Sequence, residues 1–177
     1  MNRMTWIGCL VSAVVAATAT AGAQDRTRID LGDDKIDQRS IIEQLDKAIS
    51  VEPTNPSGGG SGTPAPISLM MKVEFAFASA GLTPQATGTL DRVAAILNDP
   101  KLQQRRFLVE GHTDAVGSDA KNVQLSQQRA MSVMSYLQQR GIRPDRLSAA
   151  GYGKAQLLPG VAPTDGRNRR VEIVPLQ

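Results

Sequence analysis

The residues best able to do chemistry lie between Val109 and Ala130, in the sequence VEGHTDAVGSDAKNVQLSQQRA. This stretch starts as the end of an apolar strand, passes through a polar loop that contains Gly117, and enters a pattern typical of a helix. At about 100° per residue, Asn122 and Arg129 fall on or beside the face of that helix that should be buried. An unpaired guanidinium is costly at a partly buried position, so we expect Arg129 to meet a carboxylate.

The natural partner within the chain is Asp114, which follows the strand and precedes the helix. If Asp114 and Arg129 face each other, they present an anion and a cation that complement a zwitterionic ligand. An internal salt bridge that only orients the loop would use the same two residues. The residues alone leave both interpretations open.

His112 adds a further alternative, because Glu110, His112 and Asp114 alternate along a strand and could reach one metal ion. The chain has one histidine and one cysteine, and that cysteine, Cys9, lies in the N-terminal apolar run. No set of nucleophile and base or of paired carboxylates is better supported. We therefore expect no metal, no cofactor and no catalytic residue.

Spacing also predicts the elements that hold these residues. The long helix should run from Ser118 to Arg140, with Ser118 as its N-cap and Gly141 at its end. The other predicted elements are a strand Ile67–Phe77, a helix Pro84–Asn98, a strand Arg106–Gly111, a strand Arg146–Ala150 followed by a Gly-Tyr-Gly turn, and a last strand Arg169–Pro175. This β-α-β-α-β-β order predicts an α/β sandwich, a mixed sheet with two main helices on one face.

Residues 1–23 have the layout of a secretory signal peptide, with Arg3, an apolar run and a small-residue site ending at Ala23. Cys9 offers a lipoprotein anchor as an alternative, and an uncleaved membrane anchor is another. The strongly apolar part is shorter than the roughly 20 residues that a membrane span needs. We expect cleavage after Ala23.

Residues 24–51 form an N-terminal segment that is irregular at first and then helical from Ser40 to Val51, with Ser40 and Glu43 as a capping box. This short amphipathic helix either packs against the domain or docks an envelope protein partner. Residues 52–66, rich in Pro, Gly and Ser, predict a linker, and residues 67–177 form the domain.

Composition argues against a nucleic acid partner. The net charge is +3, and aromatic residues make up 3% of the chain. The lysines and arginines are scattered, whereas a nucleic-acid surface needs a basic patch with aromatic residues between the charges. We expect no binding of nucleic acid.

The ordered motifs resemble the OmpA-like peptidoglycan-binding domain, a family shared by outer-membrane protein A, peptidoglycan-associated lipoprotein and the periplasmic part of flagellar motor stators. The matching pieces occur in the family's order over most of residues 67–177. They are GHTD at 111–114, Gly117-Ser118, Asn122, Leu125-Ser126, Arg129-Ala130, GYG at 151–153 and NRRVEI at 168–173. The resemblance implies the family's mixed α/β sheet and a binding function without catalysis.

In that family, the residues matching Asp114 and Arg129 bind the free amino-acid end of diaminopimelate in the peptidoglycan stem peptide. Asn122 could hold the loop or touch the ligand, and Thr113 with the backbone up to Gly117 lies where helical N–H groups suit an anion.

Two further positions complete the expected site. Leu125 is expected to pack rather than to contact ligand. Arg169 is included in the expected site because side chains alternate along a strand, so that one of Arg169 and Arg170 should face the pocket and the other solvent.

The sequence departs from the family at three places. Ala78 stands where relatives often carry Asp or Asn, Lys121 replaces an aromatic residue, and the family's GRxxNRR segment is shortened to GRNRR at 166–170. These departures bear on affinity and on the geometry around Arg169.

The resulting expectation is a periplasmic, envelope-organising protein of a Gram-negative bacterium, associated with the outer membrane, that binds diaminopimelate-type peptidoglycan. The alternative is a stator-like or envelope-complex component held in the inner membrane by an uncleaved N-terminus. Residues 1–23 carry no acidic residue for proton transfer, which counts against a motor role.

Overall fold

A computed structural model describes residues 26–31, 37–50, 67–72 and 80–176. Four predicted features lie outside the described residues. They are the signal peptide at 1–23, the linker at 52–66, residues 73–77 of the strand predicted at 67–77, and Ala78. Within the described ranges, no helix is both long and apolar enough to span a membrane.

A five-stranded sheet forms the centre of the fold, with strand order β1-β2-β5-β3-β4. β5 runs antiparallel to its neighbours β2 and β3, whereas β1 pairs with β2 and β3 with β4 in parallel. The elements in chain order are β1 Thr27–Asp30, α1 Gln38–Ser50, β2 Ile67–Met71, α2 Pro84–Leu97, β3 Arg106–His112, α3 Asp119–Gln139, β4 Leu147–Gly153 and β5 Val171–Leu176. The β-α-β-α-β-β order predicted for residues 67–176 is confirmed.

The two faces of the sheet differ sharply in chemistry. Leu69, Ile173 and Val109 sit side by side in register on β2, β5 and β3, and none of the three is exposed. Because side chains alternate along a strand, their neighbour Glu172 points to the opposite face, where it lies in register with Glu110. One face therefore packs an apolar core with the helices, and the other carries charge.

The helices α2 and α3 begin and end where the sequence predicted, within one residue. Thr83 caps α2, its side chain accepting a hydrogen bond from the Ala86 N–H, and Pro84 occupies the first turn. Ser118 is the N-cap residue of α3 in extended backbone conformation, but its side chain makes no capping hydrogen bond. The buried face of α3 consists of Asn122, Ser126, Ala130, Val133 and Leu137.

Two described segments before residue 67, residues 26–31 and 37–50, belong to the same sheet and core. β1 adds an edge strand that the sequence did not predict, and α1 buries Ile41 and Leu45 in the core cluster that the strands and other helices share. The apolar face of α1 is therefore occupied by the domain itself. The predicted capping box is wrong, since α1 begins at Gln38 and Ser40 lies within its first turn.

Candidate functional site

The site lies where β3 ends, α3 begins and β5 starts. Because β5 is antiparallel to β3, the residues just before β5 come to the carboxyl end of β3. Arg169 Nη1 donates to Asp114 Oδ2 at 2.7 Å across this junction. Asp114 is 8% exposed, while the Arg169 side chain is 51% exposed. A buried carboxylate and a solvent-facing guanidinium thus form the base and the rim of the site.

Asp114 is fixed by local hydrogen bonds. Its Oδ1 accepts from the Val116 N–H at 3.1 Å, which is a turn typical of aspartate after a strand. The Thr113 N–H donates to the Gly153 carbonyl at 2.9 Å, and the Ala115 N–H to Pro163 at 2.9 Å. The Thr113 hydroxyl is buried and has no hydrogen-bond partner among the described residues. Backbone hydrogen bonds to Gly153 and Pro163 therefore hold the loop on both sides of Asp114, and the Val116 N–H orients its carboxylate.

Arg129 lies close enough to both charges to respond to them. Burial lowers the pKa of the Arg129 guanidinium, the positive charge of Arg169 lowers it further, and the negative charge of Asp114 raises it. Arg129 is thus within electrostatic reach of both Asp114 and Arg169. The site contains two cations and one anion.

The structure gives Asn122 a loop-holding role. Asn122 is buried, and its Nδ2 donates to the Val116 carbonyl at 2.9 Å, so it ties the start of α3 to the loop that carries Asp114. Gly117 has a positive φ of 91°, a conformation that a side chain would strain, and its carbonyl accepts from Lys154 Nζ at 3.3 Å. Leu125 is half-buried on α3.

A second loop, residues 154–168, closes the other side of the site. Asn168 is fully buried and pins this loop, since its Oδ1 accepts from the Leu158 N–H and its Nδ2 donates to the carbonyls of Ala162 and Pro163. Gly166 begins a short 3-10 turn, and a side chain there would meet the Arg169 guanidinium at 2.8 Å. The shortened GRNRR segment therefore still brings Arg169 to Asp114.

Three glycines let α3 approach the sheet closely. A side chain at Gly111 would overlap the Ser126 carbonyl, and one at Gly151 would overlap the backbone of Gln127. The Gly153 N–H donates to Ser126 Oγ at 2.9 Å. The predicted turn at residues 151–153 is wrong, because these residues extend β4 and pair with the end of β3. Glycine within a strand often marks a place where another backbone approaches closely, so the Gly-Tyr-Gly sequence at 151–153 could have predicted this contact.

The charged face of the sheet holds a buried charge cluster, consisting of Arg26, Arg28, Glu110, Arg170 and Glu172. Arg170 Nε donates to Glu172 Oε1 at 2.7 Å, and Arg28 Nε to the same oxygen at 2.9 Å. Arg26 Nη1 donates to Glu110 Oε2 at 2.7 Å. Arg169 and Arg170 differ in exposure as predicted, with Arg170 3% exposed and the Arg169 side chain 51% exposed. The more exposed of the two, Arg169, is the one that pairs with Asp114 at the site.

His112 lies beside this cluster. It is 1% exposed, stacks on the Tyr152 ring with centroids 5.7 Å apart, and places Nε2 3.8 Å from Glu110 Oε2. Asp114, which the sequence suggested could join Glu110 and His112 at one metal ion, pairs with Arg169. The described part of the chain contains no group of three or more His, Cys, Asp or Glu that could hold a metal ion.

Comparison with known proteins finds relatives in the outer membrane. The chain is 42% identical over 106 residues to outer membrane protein P5 of Haemophilus influenzae, and 37% identical over 108 residues to outer membrane protein A of Serratia marcescens. Each match covers 60% of this chain and 30% of the relative. The chain therefore spans less than a third of the length of these relatives.

Solved structures show the same fold. The OmpA-like domain of FopA1 from Francisella tularensis gives a TM-score of 0.53 at 26% identity, over 62% of this chain and 73% of that chain. The peptidoglycan-associated lipoprotein from Burkholderia pseudomallei gives 0.50 at 29% identity, over 59% and 88%. The C-terminal domain of Helicobacter pylori MotB gives 0.51 at 28% identity, over 60% and 83%.

The family follows from the longest match. Residues 74–170, which are more than half of the chain, match the OmpA family. That range contains the end of β3, the whole of α3, and all three charged residues of the site, Asp114, Arg129 and Arg169. The chain belongs to the OmpA family.

Proposed function

We propose that this chain binds peptidoglycan without covalent chemistry, through the diaminopimelate of the stem peptide, and so anchors or organises the cell envelope. The observation that carries the proposal is the Asp114–Arg169 ion pair with Arg129 beside it. The site offers one carboxylate, on a loop held by hydrogen bonds, and two guanidiniums. This set of charges suits a ligand that carries both an ammonium and a carboxylate.

The free end of diaminopimelate has these two groups on one carbon. Its ammonium would pair with Asp114, and its carboxylate would pair with the planar fork of Arg129. Arg169 is half-exposed, so it can turn from Asp114 toward the ligand carboxylate at little cost. Family membership supports this assignment, and so does the similarity to a protein named a peptidoglycan-associated lipoprotein.

The proposed location is the periplasm, in association with the outer membrane, after cleavage following Ala23. Only Gln24 and Asp25 separate that cleavage site from Arg26, which hydrogen-bonds to Glu110 within the fold. N-terminal sequencing of the exported protein tests this, because Gln24 at the front excludes the inner-membrane-anchored, stator-like alternative. A retained Met1 in the inner-membrane fraction would favour that alternative.

Co-sedimentation with purified cell wall tests the binding proposal. The parent chain, Asp114→Asn and Arg129→Gln are mixed with diaminopimelate-type wall and with lysine-type wall, and Arg143→Gln serves as the matched control. Arg143 is an exposed arginine that pairs with Asp145 outside the site. Lysine in the stem peptide ends in an ammonium alone, so it offers Arg129 no carboxylate.

The proposal requires three results together. The parent and Arg143→Gln must sediment with diaminopimelate-type wall, free diaminopimelate must release them, and both site variants must remain in the supernatant while showing the circular dichroism of the parent. Equal sedimentation with lysine-type wall would contradict the assigned ligand. A folded parent that stays in the supernatant with both walls would contradict wall binding itself.

A further inference from the structure

The two glutamates of the buried charge cluster are not equally supported. Glu172 accepts hydrogen bonds from Arg28, Arg170 and Ser68. Glu110 is 3% exposed, and within the described residues the one group that donates a hydrogen bond to its carboxylate is the Arg26 guanidinium, at 2.7 Å. Removing Arg26 would leave the buried Glu110 carboxylate with the His112 imidazole, now 3.8 Å away, as the nearest candidate donor among the described residues. Removing Arg28 would leave Glu172 with two hydrogen-bond donors.

Arg26 reaches Glu110 across the sheet. It immediately precedes β1, and two strands, β2 and β5, lie between β1 and β3 in the sheet order. Its Nη1 also comes within 3.7 Å of Glu172 Oε2. The N-terminal residue of the described fold therefore crosses the charged face and ends on the strand that leads to the site.

Three residues of backbone, 111–113, connect Glu110 to Asp114. His112 follows on the same face, with its N–H donating to the Arg170 carbonyl at 2.9 Å, and the Thr113 N–H donates to Gly153. The pairing of β3 with β4 shifts register between Gly111 and His112. Glu110 and His112 are therefore among the last residues of β3, directly before the loop that carries Asp114.

We propose that Arg26 is a positioning residue for the site: by pairing with Glu110 it holds Glu110 and His112 against the sheet and so fixes the direction in which Asp114 leaves β3. The consequence for ligand binding rests on the function proposed above. The positioning itself does not, and it can be measured on the free protein.

His112 reports on the contact because it is the one histidine of the chain. The charged and titratable groups that face it are Glu110 on its own strand, Arg170 and Glu172 on β5, Tyr152 on β4, and Arg26 through Glu110. Burial lowers its pKa below 6.5, and the positive charge of Arg170 lowers it further, against the raising effect of Glu110 and Glu172. Loss of Arg26 would release Glu110 to pair with His112 and raise the pKa of the imidazole.

The experiment follows the single imidazole by NMR during a pH titration of the full chain. The variants are Arg26→Met, the double variant Arg26→Met/Glu110→Gln, and Arg143→Met as the surface control. We expect the His112 midpoint of Arg26→Met to move upward by about one pH unit or more. It should return toward the parent value in the double variant, which has no carboxylate to pair with the imidazole.

The amide resonances of Thr113 and Asp114 report on positioning in the same samples. They should shift in Arg26→Met, return toward the parent in the double variant, and stay unchanged in Arg143→Met. If Arg26→Met does not fold, the double variant must recover folding, since the cost comes from the unpaired Glu110 carboxylate. An unchanged His112 midpoint and unchanged Asp114 amide in folded Arg26→Met would overturn the proposal, as would a double variant that recovers nothing.

Wall binding separates the two proposals. If the parent binds wall, Arg26→Met should bind at least about tenfold more weakly, and the double variant should regain most of the affinity. If the parent does not bind wall but the imidazole and amide shifts occur as expected, the proposed function fails and the positioning role of Arg26 stands.

Discussion

Arg169 and Asp114, 55 residues apart in the chain, meet at 2.7 Å at the mouth of the site. The pair unites the residues just before β5 with the end of β3, and it leaves a second guanidinium, Arg129, close to the same carboxylate. Pairing with Arg169 and the hydrogen bond from the Val116 N–H fix the orientation of the Asp114 carboxylate in the free protein.

The first prediction concerns Asp114→Asn. Asparagine keeps an oxygen for the Val116 N–H but loses the charge, so wall affinity should fall at least about tenfold. The free energy of unfolding should change by less than about 1 kcal/mol, because the Arg169 partner is half-exposed. Co-sedimentation and urea unfolding measure the two quantities. Asp145→Asn is the matched control, and wild-type affinity in Asp114→Asn would contradict the assigned site.

The second prediction concerns the close contact of α3 with β3. A methyl group at position 111 would overlap the Ser126 carbonyl, so Gly111→Ala should lower the free energy of unfolding by about 3 kcal/mol. Gly88→Ala is the control within α2, where a side chain meets nothing within 4 Å, and it should stabilise by about 0.5–1 kcal/mol. Urea unfolding distinguishes them; equal effects would show that α3 can move away from β3.

The third prediction concerns acid. Burial raises the pKa of Glu172, but the positive charges of Arg170 and His112 and hydrogen bonds from Ser68 and Arg28 outweigh burial and bring it to about 2 from 4.5. The unfolded state therefore binds more protons below pH 4.5, and the stability contributed by Glu172 is present above that pH and lost as the pH falls toward 2. His112 acts in the same direction below pH 6.5, because its folded pKa is lowered.

Melting temperature as a function of pH measures this loss. Glu172→Gln lowers stability at neutral pH, but its curve should be flatter than the parent curve between about pH 4.5 and 2. Asp145→Asn, at an exposed site, should keep the slope of the parent. A Glu172→Gln curve parallel to that of the parent would show that this carboxylate is not the one that couples folding to acid.

The fourth prediction concerns Arg146. This buried guanidinium donates to the carbonyls of Arg105, Leu97 and Leu102 and lies 5.7 Å from the Phe107 ring centroid. Arg146→Met removes the three hydrogen bonds and should lower the free energy of unfolding by about 3 kcal/mol or more. Wall binding of the folded variant should match the parent, since Arg146 is not part of the site. Arg143→Met, with its side chain 57% exposed, provides the comparison for both measurements.

The spacing of apolar residues predicted α2, β3 and α3 well because each of these elements buries one continuous apolar face. Capping residues at the ends of the two helices marked where they begin and end. Thr83 with Pro84 marks the start of α2, and the apolar residues of α3 recur at helical spacing. The same spacing, together with the family resemblance, predicts that Arg129 lies near Asp114, and the charge of Asp114 does raise the pKa of Arg129.

Sequence reasoning failed where a contact joins distant segments. β1 is four residues long and charged, so it carries no alternation that predicts a strand, and it is stabilised by pairing with β2 and by the reach of Arg26 and Arg28 to glutamates on other strands. Strand alternation could not decide which of Arg169 and Arg170 is buried, because the charge cluster that receives Arg170 is assembled only when the strands pair.

The placement of β1 and α1 changes the meaning of the Pro/Gly/Ser-rich segment that follows them. Ser50 ends α1 and Ile67 begins β2, and both elements belong to one core, so residues 51–66 join two parts of the same folded body. Doubling the length of such a connection costs only about 0.6 kcal/mol. A protease cut within it would therefore yield two fragments that stay together through the β1–β2 pairing and the burial of Ile41 and Leu45, and separately produced fragments should be able to complement each other.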